Sequence, residues 1–142
     1  MIRLMTLEDI PACVKICEKN FKQLGYSYDT KKEFESMFYV QNYIRPLFYV
    51  WDDGIIKGVA GFNPCGWDDS VFGICTCYVD PEYHNQGIGR ALTQHRLDEI
   101  KKMGGEIIFS TTKQIWHLQR FGFEVIKSPY TEWSVMQLII SH

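Results

Sequence analysis

A strand-like run, a glycine-containing turn and a helical pattern follow one another in the middle of this chain. The run ICTCYV ends near Val79, and the turn after it contains Pro81, Gly87 and Gly89. Glycines at a strand-to-helix turn leave backbone N–H groups uncovered, and the first turn of the helix adds the positive end of its dipole. Such a turn suits a phosphate or pyrophosphate. The segment therefore predicts a ligand that carries phosphate.

Two common phosphate-binding motifs do not match this turn. A P-loop requires Lys and then Ser or Thr after its last glycine, whereas Arg90 and Ala91 follow Gly89. A dinucleotide-binding turn has the pattern G-x-G-x-x-G/A, and the position of its third glycine is Leu92 here. Gly-x-Gly alone is a weak indicator, because glycines before a helix often serve only the turn.

Composition and charge narrow the classes of function. For 142 residues we expect one domain that spans residues 1–142. The net charge is −2 and the lysines and arginines are scattered, which argues against a nucleic-acid partner. No apolar run approaches the ~18–20 residues of a membrane span, and Glu8 and Asp9 lie where a signal peptide would be apolar. We therefore expect a soluble, cytoplasmic protein with no membrane partner.

The five cysteines form no recognisable disulfide or metal pattern. Their number is odd, the chain contains no Cys-x-x-Cys, and no histidine lies at zinc-ligand spacing. We interpret them as reduced core thiols and expect no metal site. Cys75 and Cys77 lie two residues apart in a strand, so we expect both on one face of the sheet, near the ligand.

Hydrophobic periodicity predicts seven strands and four helices in the order β-α-α-β-β-β-α-β-α-β-β. The strands are predicted at residues 2–5, 47–51, 55–62, 71–79, 106–111, 123–126 and 133–140. The helices are predicted between Thr6 and Gly25, after a Thr30–Glu33 capping box, at 88–103 and at 114–120. A hairpin turn at Asp53-Gly54 and a loop at 63–66 separate the middle strands. This order predicts a mixed α/β (α+β) sheet with helices on both faces.

Two motifs at this spacing resemble the GNAT family of N-acetyltransferases. Val79-Asp80-Pro81 and Gly87-Ile88-Gly89 are similar to the two parts of the family motif V-x-P…R/Q-x-x-G-x-G/A, and Arg120-Phe121-Gly122-Phe123 is similar to its later G-F signature. The opening IRLMTLEDIPACVKI resembles the family's first strand and helix. The resemblance implies a GNAT-like, mostly antiparallel sheet with helices on both faces. It also implies an acetyl-CoA-dependent transferase whose second partner is an amine acceptor.

The resemblance further implies which residues bind acetyl-CoA. Backbone amides of the glycine turn would bind the pyrophosphate, and the edge of the fourth strand would bind the pantetheine arm. A backbone N–H near Tyr78 would polarise the thioester carbonyl, which makes Tyr78 a catalytic position. Thr111 lies where the family often has an asparagine that bonds the pantetheine arm. The implied acetyl-CoA residues are Cys77, Tyr78, Val79, His84, Asn85, Gln86, Gly87, Ile88, Gly89, Arg90 and Thr111.

Four positions depart from the family pattern. His84 replaces Arg or Gln, and either its imidazolium contacts the pyrophosphate or it is an exposed loop histidine. Asn85 replaces Gly, and asparagine tolerates the left-handed conformation. Val71 and Leu118 stand where many members have a glutamate base and a tyrosine acid. The two side chains usually credited with proton transfer are therefore absent.

Asp69 is the candidate substitute base. It lies two residues before Val71 on the same side of the predicted strand, ~7 Å away along it, and would act through a water. The alternative is a solvated aspartate in the turn WDDS. His117 neighbours Leu118, but a helical step of ~100° is expected to turn it away from the sulfur. Cys75 is a further candidate substitute for the missing proton-transfer groups.

Aromatic residues define a candidate acceptor site. An aromatic-lined slot suits an amine through cation–π contact, and the alternative is a plain aromatic core. Three functions stay open: acetyl transfer to an amine, an acyl-CoA-binding module with little or no turnover, and a globular domain whose glycines serve only a turn. A homodimer also stays open. The aromatic residues are Phe21, Tyr26, Tyr28, Phe34, Phe38, Tyr39, Tyr43, Trp67 and Trp116.

Overall fold

The computed structural model describes residues 1–39, 45–66, 68–127 and 133–140. Within them the predicted order of seven strands and four helices is confirmed. The strands are β1 Ile2–Leu4, β2 Leu47–Asp52, β3 Ile56–Pro64, β4 Val71–Val79, β5 Ile107–Thr112, β6 Glu124–Lys127 and β7 Ser134–Ile139. The helices are α1 Ile10–Leu24, α2 Thr30–Glu35, α3 Ile88–Lys102 and α4 Ile115–Gln119. Single 3₁₀ turns at Leu7–Asp9 and Pro81–Tyr83 precede α1 and α3.

The strands form one mixed, mostly antiparallel sheet, as predicted. Its order is β1-β2-β3-β4-β5-β7-β6, and β4 and β5 are the parallel neighbours among the described strands. Parallel neighbours need a crossover connection, which α3 provides. A membrane crossing would need a longer and more apolar helix than any that the described residues form.

The helices cover both faces of the sheet. On one face, α1 and α2 pack against residues that include Phe48 and Val50 of β2. On the other face, α3 and α4 pack against residues that include Tyr49. Tyr49 lies between Phe48 and Val50 in β2, so its side chain points to the opposite face. Cys13 and Cys17 on α1 are fully buried thiols in the first of these clusters, as predicted. β4 lies in the middle of the sheet, so elements from both faces reach it.

Two predicted boundaries are wrong. The N-cap of α2 is Asp29, whose carboxylate accepts a hydrogen bond from a backbone N–H of the first turn at 3.1 Å. Thr30 is therefore the first helical residue, and the predicted Thr30–Glu33 capping box is absent because the Glu33 side chain bonds elsewhere. The predicted loop at 63–66 is half strand, since β3 continues through Pro64. Pro64 is the last residue of β3 and pairs with Phe72 of β4.

A bulge in β4 corrects the prediction for its two cysteines. The pairing with β3 changes from Ala60–Cys77 to Gly61–Cys75, so Thr76 is an extra residue. An extra residue reverses the alternation of side chains along the strand. Cys75 accordingly packs with the core under α1 and α2, whereas Cys77 packs with the core under α3. The two cysteines lie on opposite faces of the sheet.

Candidate active site

β4 and β5 separate part of the way along their length. Val71–Gly73 pair with Ile107–Phe109, and beyond Gly73 the pairing between these two strands ends. A cleft of about 900 Å³ opens between the separated ends and is lined by residues of β4, β5, α1, α3 and α4. Clefts of this kind, at the carboxyl ends of parallel strands, accommodate ligands the size of a cofactor.

One end of the cleft is the start of α3. Gly87 caps this helix with φ of 81°, and Asn85 has φ of 64°, so both adopt the left-handed conformation. The prediction that asparagine tolerates this conformation here is confirmed. At Gly89 the nearest heavy atom to an added Cβ would be Val79 Cγ2 at 3.6 Å, which is ordinary contact. The open first turn of the helix and Arg90 beside it fit a pyrophosphate.

Most of the residues predicted to bind acetyl-CoA lie together along this cleft. Gln86 is not among the described residues that line it, although it belongs to the same turn. The predicted residues that do line the cleft are Cys77, Tyr78, Val79, His84, Asn85, Gly87, Ile88, Gly89, Arg90 and Thr111. The arrangement brings the strand edge and the helix start into one continuous surface.

Two side chains from different elements hold the carbonyl of Val79. Asn20 Nδ2 on α1 donates to it at 2.9 Å, and His84 Nε2 lies 2.8 Å from the same oxygen. Since a carbonyl accepts hydrogen bonds, this contact requires the proton of the His84 ring on Nε2. His84 is exposed and ties the glycine turn to the end of β4. This structural role adds to the two alternatives that the sequence left open.

The structure does not bring Asp69 to the cleft. It is exposed in the turn before β4 and is not among the described residues that line the cleft. Val71, the usual base position, is buried and pairs with Ile107 at the closed end of the strand. The six steps from Val71 to Cys77 span ~20 Å of strand. A carboxylate that precedes Val71 therefore lies at the opposite end of β4 from the Cys77–Val79 edge.

The α4 side of the cleft contains Leu118 and His117. Leu118, at the usual position of the acid, is buried in the core and also lines the cleft. His117, expected to turn away, lines the cleft as well, and its Nε2 lies 3.2 Å from Thr93 Oγ1. Burial lowers the pKa of His117, and nearby arginine charges lower it further, which favours the neutral ring.

The predicted aromatic slot is partly present. Tyr26, Tyr28 and Trp116 line the cleft, and Tyr78, Tyr83 and Trp133 add three rings that the predicted set did not include. Tyr26 and Trp133 pack edge-to-face with ring centroids 5.7 Å apart. The remaining predicted aromatics are the fully buried Phe34, the buried or partly buried Phe21 and Phe38, the exposed Tyr39, and Tyr43 and Trp67, which lie outside the described residues.

The sequence analysis missed Glu33, which lines the cleft. Its Oε1 accepts a hydrogen bond from Thr76 Oγ1 at 2.5 Å, and Thr76 Oγ1 lies 2.9 Å from the hydroxyl oxygen of Tyr28. Burial raises the pKa of Glu33, and the hydrogen bond from Thr76 opposes that rise. The signal in the sequence was its position three residues after Thr30, because residues three apart lie on the same face of a helix and Thr30 is buried.

The chain belongs to the GNAT family of acetyltransferases. The sequence profile described as "Acetyltransferase (GNAT) family" matches residues 13–123, which is most of the chain. The match includes the glycine turn and ends at Phe123, in the G-F signature that carried the resemblance. The predicted family and fold class are confirmed.

Individual proteins show the same relationship. A segment of 26 residues is 58% identical to the ribosomal protein bS18-alanine N-acetyltransferase of Escherichia coli K12, and this segment covers 18% of each chain. The structure is similar to the ribosomal-protein-S18-alanine N-acetyltransferase from Escherichia coli, with a TM-score of 0.79 and 23% identity over 100% of this chain and 94% of that one. It is also similar to a GNAT family acetyltransferase from Brucella melitensis in complex with acetyl-CoA, with a TM-score of 0.73 and 20% identity over 100% and 88% of the two chains. At 23% and 20% identity, the similarity to these two solved structures establishes the fold alone.

Proposed function

We propose that the chain transfers an acetyl group directly from acetyl-CoA to an amine. The observation that carries this proposal is the separation of β4 from β5 next to the glycine-capped start of α3. A long ligand with a pyrophosphate in its middle and a thioester at one end matches a cleft with this order of parts. Membership of the GNAT family and the similarity to a relative in complex with acetyl-CoA support the choice of ligand.

Each part of the cleft has a role in this proposal. The backbone amides from His84 to Gly89, together with Arg90, bind the pyrophosphate. The β4 edge at Cys77–Val79 and the Thr111 side chain bind the pantetheine arm. A backbone N–H near Tyr78 polarises the thioester carbonyl, so that the charge that develops on its oxygen is stabilised. The leaving thiol, with a pKa near ~8.5, departs as thiolate without a tyrosine acid.

An acyl-CoA-binding module with little or no turnover is the second candidate. The buried Leu118 favours it, because this side chain cannot donate a proton to the leaving sulfur. General acid–base groups contribute about 10²–10⁴-fold to a rate, so their loss slows the reaction but leaves the contribution of positioning. The two candidates share the same binding site and differ in turnover.

Two measurements on the whole chain separate these candidates. Calorimetric titration with acetyl-CoA tests binding, and release of free CoA in the presence of a panel of amines tests transfer. We expect binding and a slow release of CoA that depends on the amine. Absence of binding would overturn both candidates, whereas binding without release from any amine would favour the module.

A further inference from the structure

The described lining of the cleft carries four cationic side chains and one carboxylate. Among the described residues that line it, Glu33 is the only carboxylate, and it lies at the α2 end. The lysine and arginine residues on the lining are Arg90, Arg96, Lys113 and Arg120. Arg90, in the first turn of α3, suits the phosphates of CoA, whereas a carboxylate repels them. We therefore assign the single carboxylate to the other substrate.

A strained residue connects this carboxylate to the strand that would hold the acetyl group. Thr76, the extra residue of the β4 bulge, has φ of 21°, which is unfavourable for a β-branched side chain. Arg96 holds the bulge, because its Nη1 donates to the carbonyls of Cys75 at 2.9 Å and Gly61 at 3.0 Å. Backbone strain that the surrounding structure maintains is concentrated at functional sites. The bulge directs the Thr76 hydroxyl to Glu33, one residue before the Cys77–Val79 edge.

We propose that Glu33 binds the ammonium group of the acceptor and takes its proton, which makes it the catalytic base of this chain. The inference rests on the proposed acetyl transfer and names its acceptor class, an aliphatic amine that enters between α2 and the β4 bulge. The R–NH₃⁺ group gives one proton to the Glu33 carboxylate, and the resulting R–NH₂ attacks the thioester carbonyl. The C–S bond breaks, CoA leaves as thiolate, and the second nitrogen proton passes to that thiolate through solvent. Glu33 returns its proton to water, so the products are R–NH–acetyl, CoA–SH and one proton.

Among the titratable groups around it, Glu33 is the first to lose its proton as the pH rises. The titratable side chains that face it are Cys17 on α1, Tyr28 before α2 and Cys75 on β4. Burial raises the pKa of Tyr28 and of Cys75 to about 12 each, and it raises the pKa of Cys17 still further. Within this set, the carboxylate is the group that loses its proton as the pH rises toward neutral. A base is most efficient when its pKa approaches the working pH, and burial moves Glu33 in that direction.

Aromatic rings in the lining of the same cleft suit a cation. The Nζ of Lys113 lies 5.1 Å from the ring centroid of Tyr26 and 5.3 Å from that of Trp133, so these two rings already contact an ammonium group. Distances within ~6 Å of an aromatic face stabilise a cation. The hydroxyls of Tyr26 and Tyr78 are 3.1 Å apart and line the same part of the cleft. A carboxylate, aromatic faces and hydroxyls together recognise R–NH₃⁺ better than a neutral alcohol or a carboxylic acid.

The test compares Glu33→Gln with Glu35→Gln, which makes the same change on the same helix outside the cleft lining. Acceptors are an alkylamine, a peptide with a free N-terminus, and a fluorinated alkylamine that is largely neutral at pH 7. For acceptors that are protonated at pH 7, we expect Glu33→Gln to lower kcat/KM by about 10²–10⁴-fold. The loss should shrink as the pH approaches the pKa of the amine, and it should be much smaller for the fluorinated amine. Transfer to the alkylamine, or only to the peptide, identifies the source of the amine. With either acceptor, the predicted loss of kcat/KM in Glu33→Gln supports the role of Glu33.

The outcomes separate this inference from the proposed function. Glu33→Gln with an unchanged kcat/KM and pH profile would overturn the role of Glu33 and leave acetyl transfer standing. If the unaltered chain binds acetyl-CoA without turnover, acetyl transfer fails, and calorimetric binding of ethylammonium to the complex with CoA still tests the site. Weaker binding in Glu33→Gln than in Glu35→Gln supports the ammonium site, and equal binding overturns it. The affinity for acetyl-CoA should be the same in all three proteins.

Discussion

The half-buried carboxylate of Glu33 makes the stability of the protein depend on pH. Burial raises its pKa in the folded chain above the ordinary value of 4.5, so the folded state holds this proton more tightly than the unfolded state. The stability that comes from this proton is fully present below pH 4.5 and is lost as the pH rises through the folded-state pKa. Glu33→Gln should remove this component and give a more stable protein at pH 8. Urea unfolding at a series of pH values measures the effect.

The matched control for that measurement is Glu35→Gln. Glu35 lies on the same helix and pairs with Lys31 at 3.9 Å on the exposed side. Exposed pairs of this kind contribute about 0–1 kcal/mol, so this variant should keep the pH dependence of the unaltered chain. A Glu33→Gln protein with that same pH dependence would show that the carboxylate has an ordinary pKa.

Leu118 shows why the usual tyrosine acid cannot be restored by one substitution. Its side chain is 5% exposed and packs in the core with Phe123 and Met136. Leu118→Tyr adds a ring and a hydroxyl to a filled space, and such overpacking costs about 1–3 kcal/mol. Urea unfolding should show this loss, whereas Leu118→Met, which conserves volume, should lose less than about 1.5 kcal/mol. An equally stable Leu118→Tyr would mean that the ring points into the cleft.

At the scale of elements, the start of α3 allows a charge test of the phosphate site. Gly89 has room for a side chain and lies in the first turn, whereas the positive φ of Gly87 would add strain to a substitution there. Gly89→Glu places a negative charge at the positive end of the helix, which favours folding but repels a pyrophosphate. We expect a folded protein that has lost most of its affinity for acetyl-CoA. Calorimetry measures the affinity, and Gly89→Gln, of similar size without charge, should bind more tightly than Gly89→Glu.

The bulge of β4 depends on one side chain from α3. Arg96 is 2% exposed and donates to two backbone carbonyls, those of Gly61 and Cys75. Arg96→Leu leaves these acceptors without that donor, at a cost on the order of 1–3 kcal/mol for each buried acceptor. Urea unfolding should detect the loss. A variant with wild-type stability would show that the strand keeps its bulge without the guanidinium.

Local patterns predicted the elements but not their details. The glycines at the end of α1 and at the start of α3 are set by neighbours in sequence, and the helix ends that they predicted are confirmed. The bulge at Thr76 depends on an arginine twenty residues later, so no pattern within β4 reveals it. Glu33 was given a helix-capping role for the same reason, because its partner Thr76 is distant in sequence. Asp69 was chosen from its distance to Val71 along the strand, but Val71 lies at the closed end of the β4–β5 pair.

At the scale of the whole molecule, one strand separates two sets of functional residues. The predicted acetyl-CoA residues come from residues 77–111, whereas Tyr26, Tyr28 and Glu33 come from the segment between α1 and the end of α2. The two sets meet at β4, where the hydroxyl groups of Thr76 and Tyr78 contact Tyr26, Tyr28 and Glu33 of the second set.

This separation has a consequence for how the protein can change. Under the proposed acetyl transfer, we expect substitutions in residues 25–35 to change the preference for the amine without altering the proposed donor residues, because the two sets come from different segments of the chain. A chimera that carries these residues from a relative with a different acceptor should therefore inherit the relative's substrate preference and keep the donor affinity of this chain. On the same proposal, this division would let descendants of such a gene diversify their targets while they draw on one metabolic supply of acetyl groups.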